Sequence, residues 1–245
     1  MFTGRWKDLA IRIQSGPSLM SQLFCARRIF QVIKWISLAL FGACILIVQL
    51  SVFINPKYTG YMTSEEKRLG YIKYQWTDII DIHPVALRSV VAAEDANFCL
   101  HWGLDLEAIR DAIASGANRG ASTITQQVVK NLYLWPERSW SRKVLEAAIS
   151  PLLELFWSKS RIIEVYLNIA EFDEGVFGIE AASKHYFGIL PAQLTAVQSA
   201  SLAAVLPNPK KRSALNPSKK LIKRATAIQD GAETIRLDGR SDCFN

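Results

Sequence analysis

Glu94 and Asp95 stand side by side at the end of the apolar run Val90-Val91-Ala92-Ala93, with Phe98, His101, Gly103 and Asp105 close behind. A helix whose apolar stretch ends in paired carboxylates can set one of them in a cleft wall with little water. There its pKa rises toward values useful for proton transfer. The same pair also reads as an ordinary helix end, capped and solvated. His101 reads either as a base or as a histidine that orients the loop. A second group runs Gly120-Ala121-Ser122-Thr123-Ile124-Thr125-Gln126-Gln127, followed by Lys130 and Asn131. Backbone N–H groups and hydroxyls at such a helix start suit phosphate or sugar oxygens, and Gln126, Gln127 and Lys130 add donors along the next turns. Ser/Thr before an apolar run is also the common N-cap pattern, and the segment lacks the Lys-Ser/Thr ending of a nucleotide P-loop, so nothing in it calls for ATP. The third group is Arg142-Lys143 with Glu146 one helical turn on, either a cationic site with its own carboxylate or a plain surface ion pair.

The elements that must hold these groups are mostly helical. Apolar residues three and four apart predict helices over 85–96, 106–114, 123–134, 142–157, 160–170, 178–186 and 194–206. Alternating, strand-like stretches are scarce, and no internal repeat is visible, so an all-α single domain is expected over 85–245. Tyr166 reads as packing. Residues 55–84, with Pro56, Gly60, Gly70 and mixed aromatics, read as a membrane-proximal connector. Beyond Pro207, the basic stretch Lys210, Lys211, Arg212, Lys219, Lys220, Lys223 and Arg224 holds no acid. It reads as a solvated face or as an attraction for anionic lipid head groups or a pyrophosphate.

Ahead of all this lies an uncharged run of twenty residues, 35–54. As a helix it spans roughly 30 Å, the thickness of a bilayer's hydrocarbon core. Because the apolar stretch continues past Gly42-Ala43-Cys44, a transmembrane anchor is expected in preference to a cleaved signal peptide or a lipoprotein processing site. The net charge of +7 would suggest nucleic acid until it is divided along the chain. Residues 1–54 hold Arg5, Lys7, Arg12, Arg27, Arg28 and Lys34 against Asp8 alone, and the remainder, with 23 basic and 21 acidic residues, is nearly neutral. Nucleic acid is therefore excluded as a partner. The positive-inside rule keeps the basic tail, 1–34, in the cytoplasm and sends the working part across the membrane. Only Cys99 and Cys243 could meet there, although spacing does not establish their pairing, and neither is spaced like a zinc site.

Taken together, the blocks EDANFCLHWGLD (94–105), GASTITQQVVKN (120–131), RKVLE (142–146), KSRIIEVYLN (159–168) with GIEAASKHYFG (178–188), and LTAVQSASLAAVLPNP (194–209) resemble the glycosyltransferase domain of class A penicillin-binding proteins. They are closer still to the monofunctional biosynthetic peptidoglycan transglycosylases. The resemblance implies an all-α, lysozyme-like, two-lobed domain that polymerises lipid II into β-1,4 glycan with inversion, releasing polyprenyl pyrophosphate for cell wall biogenesis. It implies Glu94 as the general base and Glu146 as the second catalytic carboxylate, acting at the pyrophosphate directly or through a divalent cation, Mg or Mn. No organic cofactor is expected. By the same matching, Ser122, Thr123, Gln126, Gln127, Lys130, Arg142 and Lys143 line the donor or pyrophosphate site. Asp95, Phe98, His101 and Gly103 shape the acceptor side, and Glu164 and Asn168 support the cleft. The expected partners are lipid II, the growing glycan, membrane lipids and proteins of cell division or wall synthesis. The expected place is the inner membrane, single-pass, with the domain in the periplasm. No Ser-x-x-Lys followed by Lys-Thr-Gly and no room for a transpeptidase domain are visible, which favours the monofunctional type. Three departures stand out: Gln198 where an acid is usual, Ile189 where lysine often follows Tyr-Phe-Gly, and a tail from Arg224 unlike the family's usual helix. A glycan hydrolase is the rival enzyme, but it has no pyrophosphate for Lys130, Arg142 and Lys143 to neutralise. A non-catalytic scaffold would have no need of both carboxylates.

Overall fold

The computed structural model describes residues 19–116 and 120–244; the expected cytoplasmic tail lies outside them as far as residue 18. Two compact units result, one through Leu46 and the other Ile47–Asn245. Helix α1 (Leu19–Ser51) makes up the described part of the first and runs on past Leu46 into the second. Its stretch Arg27–Ser51, with a mean hydropathy of 2.1, is long and apolar enough to cross a membrane. Phe30, Trp35, Leu40 and Phe41 are exposed on it, as expected of a helix whose solvent is lipid. The helix extends upstream of the expected start at 35 and stops at Ser51, short of 54. Lys34 does not end it, because lysine is a good helix former whose long stem can carry its charge away from an apolar surface.

The second unit takes its helices from local signals. α2 (Gly60–Leu69), α3 (Pro84–Glu94), α4 (Leu106–Ala114), α5 (Ile124–Tyr133), α6 (Trp140–Phe156), α7 (Lys159–Ile169), α8 (Ile179–Phe187), α9 (Ala196–Val205) and α10 (Lys219–Leu237) follow in order. Most begin at a side chain that accepts a free N–H of the first turn: Thr59, His83, Asp105, Thr123, Ser139, Ser158, Thr195 and Ser218. Gln198 finds its reason here. It is the third residue of α9, and its side chain accepts from Thr195 N at 3.0 Å while Thr195 caps Gln198 N, so a glutamine completes this capping box as an acid would.

Helix α7 is the axis of the core, with Ile162 through Ile169 all buried. A helix buried all round must satisfy its polar side chains internally, and Glu164 and Asn168 do so through the segment before α3. Asn168 Oδ1 accepts Thr77 N and its Nδ2 donates to Thr77 O, each at 2.8 Å, while Glu164 accepts Ile79 N at 3.0 Å. Residues 55–84 are thus part of the folded unit, not a connector outside it. Met62 on α2 is fully buried, and β1 (Lys73–Tyr74) pairs parallel with β3 (Val176–Phe177), which pairs antiparallel with β2 (Glu171–Asp173). This small sheet is the one addition to the all-α expectation.

The tail beyond Arg224 continues as regular helix to Leu237, with Leu221, Ile228, Ala232 and Ile235 buried. It packs on α3 closely enough that a Cβ on Gly231 would lie 3.3 Å from Ala92 Cβ. Beyond it, Cys243 is bonded to Cys99 across 144 residues of sequence. Closing so long a loop removes much of the unfolded chain's freedom. Cys243→Ser is expected to lower stability by about 2–4 kcal/mol, measurable by urea denaturation, and reductant should bring the parent protein down to the variant's value.

Candidate active site

Asp95 joins the end of α3 to the start of α5. One carboxylate oxygen accepts Ile124 N at 2.9 Å and the other lies 2.8 Å from His101 Nε2. His101 in turn gives its backbone carbonyl to Lys159 Nζ at 2.8 Å. The loop between them is pinned at Gly103, whose carbonyl accepts from Thr123 Oγ1 at 2.7 Å. Gly103 has φ +80°, and a Cβ there would come 2.8 Å from the backbone C and O of Ser150. Positive φ and a backbone collision together exclude a side chain. Gly103→Ala is expected to cost about 2–4 kcal/mol, read as a drop in the midpoint of thermal or urea unfolding.

Glu94, last residue of α3, is held from two sides. Gln127 Nε2 donates to its Oε2 at 3.0 Å, and Arg224 on α10 lies 3.7 Å from its Oε1. Burial pushes its pKa above the ordinary carboxylate range. The Gln127 bond and the Arg224 charge oppose that rise, the Asp95 charge adds to it, and Arg212 opposes it more weakly. Gln127 is itself oriented by Tyr166, whose hydroxyl donates to Gln127 Oε1 at 3.4 Å.

Gln127 also faces a cavity of about 880 Å³ whose lining includes Ser122, Gln126, Lys130, Arg142, Lys143 and Glu146. Lys143 Nζ donates to Ser122 Oγ and to Glu146 Oε2, each at 3.0 Å. Arg142 gives NH1 to the carbonyls of Trp135 and Pro136. Its Nε is 3.3 Å from Glu146 Oε1, close enough for an ion pair but not aligned as a hydrogen bond, so both buried atoms keep unused bonding capacity. Lys130 has no ion pair among the described residues, and burial, reinforced by Arg142, pushes its pKa down. A desolvated ammonium beside two further cations has the chemistry to hold an anion. The same charges do not fit the divalent cation expected at Glu146. Its carboxylate already lies between Arg142 and Lys143, and no cluster of three metal-ligating side chains occurs among the described residues.

Seven of the thirteen predicted site residues therefore line one cavity, and Glu94 stands just behind Gln127. The other five, the pinned Gly103 among them, serve from beneath. Thr123 and Gln126 form the capping box of α5, which leaves Thr123 buried, and Asp95 and His101 brace the loop. Phe98, expected on the acceptor side, is fully buried against Phe244 and under Lys159 Nζ, 4.4 Å from its ring, so it supports the loop and meets no ligand. The sequence reading missed Tyr61 and Glu171, which line the cavity together with Lys210, and it named Lys210 and Arg224 only as members of the basic stretch after Pro207. The signal for Arg224 was present, since it sits three residues after Leu221 and four before Ile228, on the stripe that α10 buries.

The transglycosylase family matches residues 63–233. This chain belongs to the transglycosylase family. Among curated relatives, the chain is 56% identical over 214 residues to the biosynthetic peptidoglycan transglycosylase of Jannaschia sp. (strain CCS1), covering 86% of this chain and 90% of that protein. To the protein of the same name from Caulobacter vibrioides it is 40% identical over 224 residues, 90% of this chain and 98% of the relative. That from Pseudomonas putida is 48% identical over 183 residues, 73% and 76% of the two chains. The family match begins inside α2, which agrees with the folding of residues 55–84 into the transglycosylase unit.

Proposed function

We propose that this transglycosylase polymerises lipid II into β-1,4 glycan strands at the outer face of the cytoplasmic membrane. The observation that carries the reading is a desolvated carboxylate, Glu94, separated only by Gln127 from a cavity walled by Lys130, Arg142 and Lys143. The acceptor sugar's 4-hydroxyl attacks the donor's anomeric carbon and its proton passes to Glu94. The bond from that carbon to the pyrophosphate oxygen breaks, its electron pair leaves with polyprenyl pyrophosphate, and the α-linkage inverts to β. The developing negative charge falls where preorganised cations and the unused Arg142 Nε–H can stabilise it without reorganisation. Glu146 holds Arg142 and Lys143 in place from between them.

The apolar helix α1 suits a substrate whose polyprenyl chain lies in the bilayer, and the basic residues before it favour a cytoplasmic N-terminus. The Cys99–Cys243 disulfide supports the same orientation, since such bonds persist in oxidising compartments. The test is conversion of labelled lipid II by purified protein in detergent. Expected are lysozyme-sensitive polymer and released polyprenyl pyrophosphate. Folded protein that makes no polymer, or that cuts pre-formed strands instead, would overturn the proposal.

A further inference from the structure

The segment after α9 follows the reactive corner almost residue by residue. Gly231 packs on Ala92, and Arg224 NH2 donates to the Ala93 carbonyl at 3.3 Å and faces Glu94 Oε1 at 3.7 Å. Farther along, Arg240 NH1 donates to Ala96 O at 3.2 Å, Phe244 packs on Phe98, and Cys243 is bonded to Cys99. Glu94 therefore has a cation near one oxygen and an amide donor on the other.

We infer that Arg224 is a positioning residue for Glu94, aiming and charge-balancing its carboxylate from the C-terminal helix. The geometry suits that role and no closer one. At 3.7 Å the guanidinium attracts Oε1 without a direct hydrogen bond, so the oxygen keeps a lone pair for the incoming proton. Arg224 is fixed in turn by its bond to the Ala93 carbonyl, one residue from the group it steers. The other charged or titratable groups facing Glu94 are Asp95 beside it, Arg212 beyond α9 and the Tyr166 phenol on α7. Of the two cations, Arg224 acts more strongly on Glu94. This inference rests on the proposed role of Glu94 as base.

The experiment is the pH profile of lipid II polymerisation by the full-length chain, comparing the parent protein with Arg224→Gln, Arg224→Met and Arg224→Lys. Removing the charge makes Glu94 harder to ionise, so both neutral variants should move the acid limb to higher pH. They should lose about three- to tenfold in kcat near about pH 6 and far less near about pH 9. Arg224→Lys keeps a cation and should hold the limb near its parental place. The Met variant preserves the aliphatic stem and carries the test if Gln fails to fold. Neutral variants whose profiles overlie the parent's after scaling would show a purely structural arginine and overturn the inference. A parent protein that makes no polymer at any pH would remove the proposed function itself, and this inference with it.

Discussion

Glu94→Gln is expected to cut lipid II polymerisation by about 10²–10⁴-fold while leaving the protein folded. The amide keeps the oxygen that accepts from Gln127 Nε2 but cannot take a proton from an attacking hydroxyl. Stability should not suffer. Because the folded pKa of Glu94 is raised, chiefly by burial, the residue favours folding below the ordinary carboxylate range. That contribution is lost as pH rises through the raised pKa. At neutral pH the variant should therefore match or exceed the parent in urea denaturation. The same shift sets the parent's acid limb: kcat/KM should fall as pH drops through a midpoint above the ordinary carboxylate range. A variant that retains polymerisation within tenfold of the parent would remove Glu94 from the role of base.

Asp95→Ala should be the most damaging change after that of the proposed base, and for a different reason. It strips the acceptor from two groups at once, the buried Ile124 N–H and His101 Nε2. An unsatisfied buried polar group costs about 1–3 kcal/mol, so a loss of about 3–5 kcal/mol is expected for the pair. Activity should fall as well, because the start of α5 carries Gln126 and Gln127, and a shift of about 1 Å in a positioned group can cost about 10²-fold. Asp95→Asn, which keeps one acceptor oxygen, should fall between parent and Ala in unfolding midpoint and rate. Parental stability for the Ala variant would mean that the two hydrogen bonds do not hold the corner together.

What could be read in the amino-acid order was whatever depends on neighbours along the chain. The seven expected helices follow from apolar spacing and, in five of them, from Ser, Thr or Asp at their starts, and Thr123 with Gln126 forms the capping box that its spacing allows. What could not be read depends on distant partners. The place of residues 55–84 is decided by Asn168 clasping Thr77 from 91 residues away. Glu171 is turned inward by Tyr61, whose hydroxyl donates to it at 2.6 Å across a separation of 110. The basic stretch after Pro207 hid two unlike fates. Lys210 pairs with Glu65, whereas Arg224, partly exposed between the buried Leu221 and Ile228 of α10, turns toward Glu94 at the end of α3. Composition averages over that difference, while helical periodicity retains it. Phe98 illustrates the reverse error, since a residue near reactive groups in sequence can serve them from below.

The pairing of residues 92–99 with the segment beyond 220 also imposes a build order. Ala93 waits 131 residues for Arg224, and Cys99 waits 144 for Cys243. During synthesis the carboxylate end of α3 leaves the ribosome long before its cover exists, and the entropy of closing so long a loop makes this corner among the last to settle. Until then Glu94 is a hydrated, ordinary acid with neither its burial nor its arginine. A half-made chain thus carries the proposed base in an idle state, and its raised pKa arrives only with the finished fold.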